Sequence, residues 1–500
     1  MSFIKKIKRG DKTYLAEVEN FRVKGKVVQK YIRYIGREVD NKAVISLTSE
    51  EIKIDEVKIF GPLLVLNYIA NKIGLPEILG EYSSELLSMV YAHCLNYKSV
   101  NNMPEWYKRT DLNHILNLEG LTESRLLAAM DVLNDETIEN YQKIIFNNTK
   151  REYAISTKRV AYDVTNTYLY GKKCLIGKIG KSKEGKSNHP LIQIGLAVTQ
   201  KEGIPISHKT FDGNIHDTKT LFPIIEHFSR LRIRSGLLIY DRGISSEQNL
   251  IDIQRLGWHI LCGIAVRSRE KKEIRKITKS NSIINITNRV VINKSTFYIK
   301  NIPYKIGKVC GNLTICYNDQ RKKIIRESRY DEIVNAQELL RKNKRIKDGL
   351  SKYLTPIGRI RKSVLESSEE FDGYSCIFCT RKMPSKDQVK LYFDKDTVER
   401  AFKTLKGVTN LRPVRHWLYN RVVAHVFICY LSYLLLSILK FNLKNLKISP
   451  ETALKDLESV YKIEISCKNK KHRITKVVTL TKHQEAILKS VDKKIMKSFL

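Results

Sequence analysis

Three acidic residues stand out because of the sequence patterns that surround them. Asp163 lies in an alternating, strand-like run, and Asp241 follows a short apolar run just before a glycine turn. Glu399 lies in a segment with the periodicity of an amphipathic helix. Two carboxylates on strands and one on a helix can converge on a pair of divalent ions, which stabilise the attacking and leaving oxygens of an in-line phosphoryl displacement. Because carboxylate oxygens suit hard cations, the expected ion is Mg²⁺, with Mn²⁺ as a substitute.

The segment around Glu399 combines a face suited to burial with a face rich in positive charge. At helical spacing, the apolar face consists of Val398, Ala401, Phe402 and Leu405. The other face sets one acid among a phenol and three lysines: Tyr392, Lys395, Glu399, Lys403 and Lys406. The lysines would help to keep the acid ionised and would bind the phosphates of a nucleic-acid strand. The phenol could stack on a base or bond to a phosphate, whereas Lys403 could simply be solvated.

The composition supports a polyanionic partner. The 500 residues include 90 basic and 52 acidic side chains, which gives a formal net charge of +38. A charge of this size favours binding to nucleic acid, although part of the lysine content could serve only solubility. A glycosidase that uses paired carboxylates is disfavoured, because its cleft would not need such a cationic surround.

The cysteines and the most apolar segment argue against a zinc site and a membrane protein. Of the nine cysteines only Cys376 and Cys379 form a CxxC pair, and without a second pair at metal-site spacing structural zinc is not expected. The thiols are those expected of a reduced, cytoplasmic protein. The first 20 residues lack the apolar run of a signal peptide. Residues 422–439 are apolar, but polar side chains share one helical face, so a buried core helix is favoured over a membrane span.

The regions around the acids predict the elements that position them. Three consecutive strands with Asp163 in the first predict an antiparallel meander, and a helix capped by Asp217 follows. For Asp217, capping is favoured over a functional role. The run GLLIY predicts a buried strand with Asp241 at its C-terminal tip, where open α/β sheets hold their catalytic groups. A second helix and another buried strand complete the order β-β-β-α-β-α-β.

Changes in composition and in the spacing of apolar residues divide the whole chain into five predicted parts. The N-terminal part predicts a β-hairpin that either enters a DNA groove or is a small scaffold sheet. The next part predicts short helices, either a helix-turn-helix DNA reader or a small bundle. The predicted parts are a hairpin module over 1–55, a helical and DNA-binding region over 56–150, a catalytic core over 151–267 and 371–440, a basic insertion over 268–370 and a C-terminal extension over 441–500.

Five motifs occur in one order along the chain. They are YDVTNTYLY around Asp163, FDGNIHDTKTL at 211–221, YDRG around Asp241, Tyr-x2-Lys-x3-Glu-x6-Lys from Tyr392 to Lys406, and HWLYNRVVAHVFICYLSYLL at 416–435. The fourth is similar to the Y-x2-R-x3-E-x6-K signature of bacterial insertion-sequence transposases of the DDE class, and the other four resemble the same family in its own order. The resemblance spans roughly residues 150–440.

The resemblance implies an α/β fold with a ribonuclease H-like catalytic core. This core is a mixed sheet with helices on both faces, interrupted by an α+β insertion and preceded by a β-hairpin and a small helical DNA-binding region. The resemblance also implies that Asp163, Asp241 and Glu399 are the catalytic residues and the ligands of two Mg²⁺ ions. Lys395 stands where the signature has Arg, which keeps the charge but loses the bidentate fork. The residues expected to bind DNA are Tyr392, Lys395, Lys406, Arg242, Arg415 and Arg421.

The implied function is that of a DNA transposase. Such an enzyme binds terminal inverted repeats, cleaves the ends of an insertion sequence and transfers the 3′-OH ends to target DNA. The expected partners are double-stranded DNA of the element ends and of the target, with no membrane, and a homodimer in the DNA complex because two ends must be joined. The expected location is the cytoplasm of a bacterium, at the nucleoid. Two alternatives stay open: a catalytically inactive or repurposed transposase that only binds DNA, and a structure-selective nuclease on the same core.

Overall fold

The chain folds into two compact units in a computed structural model. The first unit is Met1–Phe60 with Glu458–Leu480, and the second is Gly61–Leu457 with Thr481–Leu500. The residues that the structure describes are 2–23, 26–39, 42–44, 52–171, 173–185, 188–280, 282–347, 349–467 and 470–499.

The first unit contains two antiparallel sheets. One has the order β1-β2-β3-β4, with β1 (Ser2–Arg9), β2 (Lys12–Val23), β3 (Lys26–Val39) and β4 (Lys42–Val44). Strands β2 and β3 form the predicted hairpin, whose turn residues Lys24 and Gly25 lie outside the described residues. In the other sheet, β5 (Ile52–Ile59) pairs with β15 (Tyr461–Cys467), which pairs with β16 (Lys470–Val477). The division therefore differs from the predicted 1–55 module and 441–500 extension, because pairing between strands so distant in the chain leaves no local sequence pattern.

The second unit begins with seven helices. They are α1 (Gly61–Lys72), α2 (Leu75–Leu79), α3 (Ser83–Leu95), α4 (Met103–Lys108), α5 (Leu112–Ile115), α6 (Glu123–Asp131) and α7 (Asp135–Tyr153). Thr122 caps α6, since its side chain accepts from the Arg125 backbone N–H. Asn134 caps α7, and its side chain accepts from the Thr137 backbone N–H. Asn is among the preferred residues at this position because its side-chain oxygen can accept from a free backbone N–H of the first turn.

A nine-stranded mixed sheet forms the centre of the second unit. Its order is β11-β12-β13-β14-β10-β9-β6-β7-β8. Strands β6, β7 and β8 form the predicted antiparallel meander, and β9 and β10 run parallel to β6. The strands are β6 (Arg159–Tyr168), β7 (Leu191–Thr199), β8 (Pro205–Asp212), β9 (Leu237–Tyr240), β10 (His259–Ile264), β11 (Arg289–Ile292), β12 (Ser295–Ile306), β13 (Val309–Tyr317) and β14 (Tyr374–Cys379).

The predicted insertion over 268–370 is continuous with this sheet. Strand β13 pairs with β14, so β11, β12 and β13 extend the core sheet beyond β10, and α10 (Ser268–Ser280), α11 (Asp319–Arg341) and α12 (Lys362–Glu369) accompany them. Leu313, Ile315 and Cys376 lie in one buried cluster. The dense lysines and arginines of this region predicted an inserted basic domain, and in the structure its strands belong to the same sheet as β14 and β10.

Helices cover both faces of the sheet. Side chains of β6 and β9 such as Tyr162, Leu238 and Tyr240 pack on one face against α8 (Leu221–Arg230) and α9 (Glu247–Arg255). On the other face, Leu237 and Ile239 of β9 pack with residues of α13 (Ser385–Phe393). Helix α14 (Asp396–Gly407) contacts β6 and β7.

Helix α15 (Tyr419–Asn442) is the apolar helix that the sequence predicted to be buried. Among the described residues, only the stretch that contains it is long and apolar enough to cross a membrane, and its most apolar window is fully buried inside the fold. It packs against α3, α6 and β8. Helices α16 (Pro450–Leu457) and α17 (Lys482–Val491) complete the unit.

Candidate active site

The register of two parallel strands places Asp163 beside Asp241. Tyr162 of β6 pairs with Tyr240 of β9, and each aspartate is the next residue in its chain. Both tyrosines are buried in the core beneath α8 and α9. Because side chains alternate along a strand, the two carboxylates project to the opposite face, which α13 and α14 cover.

Glu399 reaches this face from the first turns of α14. The predicted continuous helix from Tyr392 to Lys406 is two helices, because α13 ends at Phe393 and α14 begins at Asp396. The Thr397 hydroxyl donates to the Asp394 carbonyl, a side-chain bond at the break that helical period cannot predict. The predicted apolar stripe is buried: Val398, Ala401, Phe402 and Leu405. The Glu399 side chain stays 46% exposed above it.

Lys395 joins two of the three acids. Its Nζ lies 3.4 Å from Asp241 Oδ2 and 3.1 Å from Glu399 Oε1, and the side chain is only 14% exposed. Burial acts to lower the pKa of Lys395, but Asp241, Glu399 and Asp163 outweigh it and hold that pKa above its ordinary value. The ammonium is therefore a firmly charged group between Asp241 and Glu399.

Asp241 is held in one orientation by three donors. The Tyr392 hydroxyl and the Arg242 backbone N–H each donate to Oδ1 at 2.8 Å, while Lys395 faces Oδ2. Burial acts to raise the pKa of Asp241, but these donors outweigh it and hold the pKa below its usual value. Asp241 is thus an ionised carboxylate with a fixed direction.

Asp163 has the opposite electrostatic character. Burial, with a smaller effect from the Asp241 charge, raises the pKa of its carboxyl to about 6 against the lowering effects of the Val164 N–H, Lys183 and Lys395. A neighbouring cation would remove this penalty, because it favours the ionised form.

One comparison with known proteins identifies the family. The family model described as Transposase DDE domain matches residues 156–435, more than half of the chain. The chain belongs to this family. No curated protein matches the sequence. Among solved structures, the chain is similar to a cryo-EM structure of a piggyBac transposase synaptic complex with hairpin DNA, with a TM-score of 0.39, 11% sequence identity and coverage of 80% of each chain.

Membership confirms the DDE class of the predicted resemblance, and it implies a DNA cleavage and transfer enzyme. DDE transposase domains generally use divalent metal ions. In this transposase domain, the carboxylates of Asp241 and Glu399 contact one ammonium, whose charge also acts on the neighbouring Asp163. The donor set therefore already holds a cation, and it consists of the oxygens that Mg²⁺ prefers. The residues present therefore fit a metal site.

The opposite pKa shifts of the two aspartates predict opposite effects of neutralising them in the metal-free transposase. Asp163→Asn should stabilise the protein by about 1–3 kcal/mol at pH 8, because the folded state then no longer holds a buried charge. Since the folded pKa of about 6 lies above the ordinary aspartate pKa of 3.8, this gain should shrink as pH falls through 6 and vanish below about 4. Asp241→Asn should destabilise at pH 8, since the pKa of that carboxyl is lowered by folding.

Urea unfolding in EDTA at several pH values measures both differences. Asp241→Asn is the matched control, because it removes the same charge from the same edge of the sheet. A destabilising effect of Asp163→Asn at pH 8, or a gain that grows as the pH falls, would contradict the burial of the Asp163 charge.

Asp217 lies beside the site and does not cap a helix. It begins the short 3-10 helix Asp217–Lys219 without a side-chain cap bond, and its Oδ2 accepts from Lys183 Nζ at 3.3 Å. Lys183 Nζ also donates to the carbonyl of Val164, next to Asp163, at 2.6 Å. Lys183 was not among the predicted site residues, because it lies in the long β6–β7 connection with no periodic pattern around it.

Lys406 occupies a buried ion pair instead of an open surface. Its Nζ lies 2.6 Å from Glu184 Oε1 and donates to the Asn166 carbonyl of β6 at 2.9 Å, with the two paired side chains 13% and 11% exposed. Arg412 also contacts Glu184, at 3.2 Å. Burial lowers the pKa of Lys406 against the opposing effect of Glu184. Lys406, which was predicted to bind phosphate, therefore links α14 to β6 and to the β6–β7 connection in this structure.

The three arginines predicted to bind DNA differ in whether their side chains already have an ion-pair partner among the described residues of the protein. Arg242 is exposed beside Asp241, and Arg415 is exposed with its guanidinium 6.0 Å from the Tyr170 ring centroid. Arg421 forms a two-point pair with Asp131, at 2.6 and 2.7 Å, that joins α15 to α6. Arg242 and Arg415 can contact a ligand as they stand, whereas Arg421 already has a structural partner.

A second cluster of possible metal ligands lies away from the acids. Atoms of His93, His425 and Cys429 all fall within 4.8 Å of one another, and the three residues are buried. Each also contacts a carbonyl at the end of α14: Cys429 Sγ donates to Thr409 at 3.5 Å, His425 Nε2 lies 3.3 Å from the Leu411 oxygen, and His93 Nδ1 contacts Thr409. We interpret this cluster as a hydrogen-bonded joint, because the potential ligand atoms already have partners.

Proposed function

We propose that this transposase is an active enzyme that cleaves the ends of an insertion sequence and transfers the resulting 3′-OH ends to target DNA. The single observation that carries the proposal is the grouping of three acids: Asp241 and Glu399 share the Lys395 ammonium, and Asp163 lies beside Asp241 in the β6–β9 register. A protein that only binds DNA has no need of three carboxylates gathered within a strongly basic chain. Their presence disfavours the alternative of an inactive or repurposed transposase.

We further propose that the catalytic core is ribonuclease H-like. The strand order β8-β7-β6-β9-β10, with an antiparallel meander followed by two strands parallel to its first, supports this assignment. The first acid on β6, the second after β9 and the third on a helix across that face also support it. The strands β11, β12 and β13 would be the family's insertion, built here onto the edge of the core sheet.

Asp163, Asp241 and Glu399 would hold two Mg²⁺ ions. When bound, such ions activate an oxygen nucleophile and stabilise the leaving oxygen of an in-line displacement at phosphorus. First water and then the freed 3′-OH would be that nucleophile, so each step forms one P–O bond and breaks one. Tyr392 and the Arg242 N–H keep the Asp241 carboxylate directed into the site. Arg242, Arg415 and a displaced Lys395 would hold the phosphates of the strand being cut.

DNA binding by the rest of the chain follows from its charge. The net charge of +38 favours phosphate contacts over much of the surface, and the β2–β3 hairpin carries basic residues on exposed strands. We propose that this hairpin and the helices α1 to α7 bind the terminal inverted repeats. A homodimer in the DNA complex would bring two ends together. The enzyme would act at the nucleoid, in the cytoplasm of a bacterium.

The test is cleavage of the element's own ends. The purified protein should nick a DNA fragment that carries the sequences flanking its reading frame, at the boundaries of short inverted repeats and only with Mg²⁺ or Mn²⁺. It should then join the new 3′ ends to a second duplex. End binding without cleavage would favour the repurposed binding protein, and cleavage without joining would favour a structure-selective nuclease. A scrambled end sequence is the matched control.

A further inference from the structure

Lys395 occupies the place where the cation-binding oxygens of the site meet. Its Nζ contacts one oxygen of Asp241 and one of Glu399, and its charge also acts on Asp163. The other Asp241 oxygen is taken by Tyr392 and by the Arg242 N–H. The ammonium therefore offsets part of the negative charge of the acids when no metal is bound.

A divalent ion and this ammonium compete for the same oxygens. Mg²⁺ binds carboxylate oxygens at about 2.0–2.1 Å and demands octahedral geometry, which leaves no room for an ammonium hydrogen-bonded to the same lone pairs. The two cations would also repel each other in a partly buried site. Metal binding by Asp241 and Glu399 therefore requires Lys395 to move.

The position of Lys395 allows such a movement. It is the residue before α14, between the end of α13 and the first turn of the Glu399 helix, so its side chain can turn without shifting Glu399. The four-carbon stem of lysine is flexible and its ammonium binds phosphates as a point charge. The ammonium also lies 5.6 Å from the Tyr392 ring centroid, a weak contact that does not fix it.

We infer that Lys395 is an exchangeable counter-cation of the acids. When the metal binds, the Lys395 ammonium moves away from the carboxylates and binds a DNA phosphate. This inference rests on the proposed function. Because the phosphate stabilises the displaced lysine, DNA favours the metal-ready site, and by reciprocity the metal favours DNA. The enzyme would then bind its metal ions when DNA is present. Without DNA, the Lys395 ammonium would occupy the carboxylate oxygens and keep the metal ions out. A static ion pair that merely preorganises the acids predicts the opposite effect of removing the lysine.

The decisive measurement is Mn²⁺ binding to the full chain without DNA, followed by electron paramagnetic resonance. Lys395→Met should bind Mn²⁺ at least about tenfold more tightly than the wild type, since a competing charge at this range is typically equivalent to one or more pKa units. Lys395→Gln should behave alike. Lys403→Met, an exposed lysine on the same helix, should leave the affinity unchanged. Equal or weaker Mn²⁺ binding by both neutral Lys395 variants would overturn the exchange.

The coupling to DNA gives a second readout that needs only the wild type. A duplex of the element end should raise the Mn²⁺ affinity of the wild-type protein several-fold, and this rise should be largely lost in Lys395→Met. No rise in the wild type would overturn the inference even if the variants failed to fold. The Asp241→Asn variant tests the metal ligands separately from the exchange of Lys395. If this variant binds Mn²⁺ as tightly as the wild type does, the proposed metal ligands are wrong.

Discussion

Replacing Asp163 by Asn should reduce Mg²⁺-dependent cleavage of the element ends by on the order of 10³-fold or more, a loss of several kcal/mol of transition-state stabilisation. The substitution keeps the size of the side chain and its place beside Asp241 in the β6–β9 register. It removes one carboxylate of the proposed metal site, so the attacking and leaving oxygens lose charge stabilisation. Asp241→Asn and Glu399→Gln should have effects of similar size.

Binding of the element ends should survive in the Asp163→Asn variant. DNA affinity depends mainly on the basic surface, and the Asp163 substitution removes no positive charge. Gel-shift titration and a cleavage assay on the same labelled fragment separate the two properties. Asp396→Asn, an exposed acid in the first turn of α14, is the matched control and should keep full cleavage. Cleavage that persists in Asp163→Asn would remove this residue from the catalytic set.

The neighbourhood of Asp163 and Asp241 could be predicted because it follows from strand chemistry. Alternation predicted Asp163 within a strand, and the apolar run predicted Asp241 at the end of another. The parallel pairing of β6 and β9 then places the two acids side by side. The buried stripe of α14 was equally visible, since helical spacing determines which residues share a face. The spacing of apolar residues therefore predicted which side chains face the core. The acids were recognised as charged residues on the same predicted strands and helix.

The features that were missed depend on contacts between distant residues. The break at Asp394 and Lys395 is fixed by Thr397, which bonds to the carbonyls of Asp394 and of Gln200 in another part of the chain. The pairing of β5 with β15 and the role of Glu184 likewise arise from tertiary contacts. A helical wheel placed Lys395 and Lys406 on one charged face, but the break and the buried acid give them different partners.

Breaking the buried pair of Lys406 and Glu184 is the second change expected to have a large effect. Lys406→Ala should destabilise the second unit by about 3–5 kcal/mol, because it leaves a buried carboxylate whose one remaining ion-pair partner among the described residues is the more exposed Arg412. It should also lower cleavage, since α14 loses its bond to the β6 carbonyl of Asn166 and Glu399 loses a fixed position relative to Asp163. Lys403→Ala, an exposed neighbour, should change neither property.

A double substitution distinguishes this structural role from a direct phosphate contact. Lys406→Met with Glu184→Gln removes both buried charges, and it should recover much of the stability and part of the cleavage lost in Lys406→Ala, since replacing both partners removes the unpaired charge. A phosphate contact made by Lys406 would instead appear in DNA binding, as a fall of about one in the slope of log affinity against log salt concentration. Urea unfolding and salt-dependent gel shifts on the single and double variants measure the two effects. A lowered salt slope with unchanged stability would assign Lys406 to the DNA, whereas lost stability with an unchanged slope would place its function inside the protein, as the bond that holds the glutamate helix against the strand that carries Asp163.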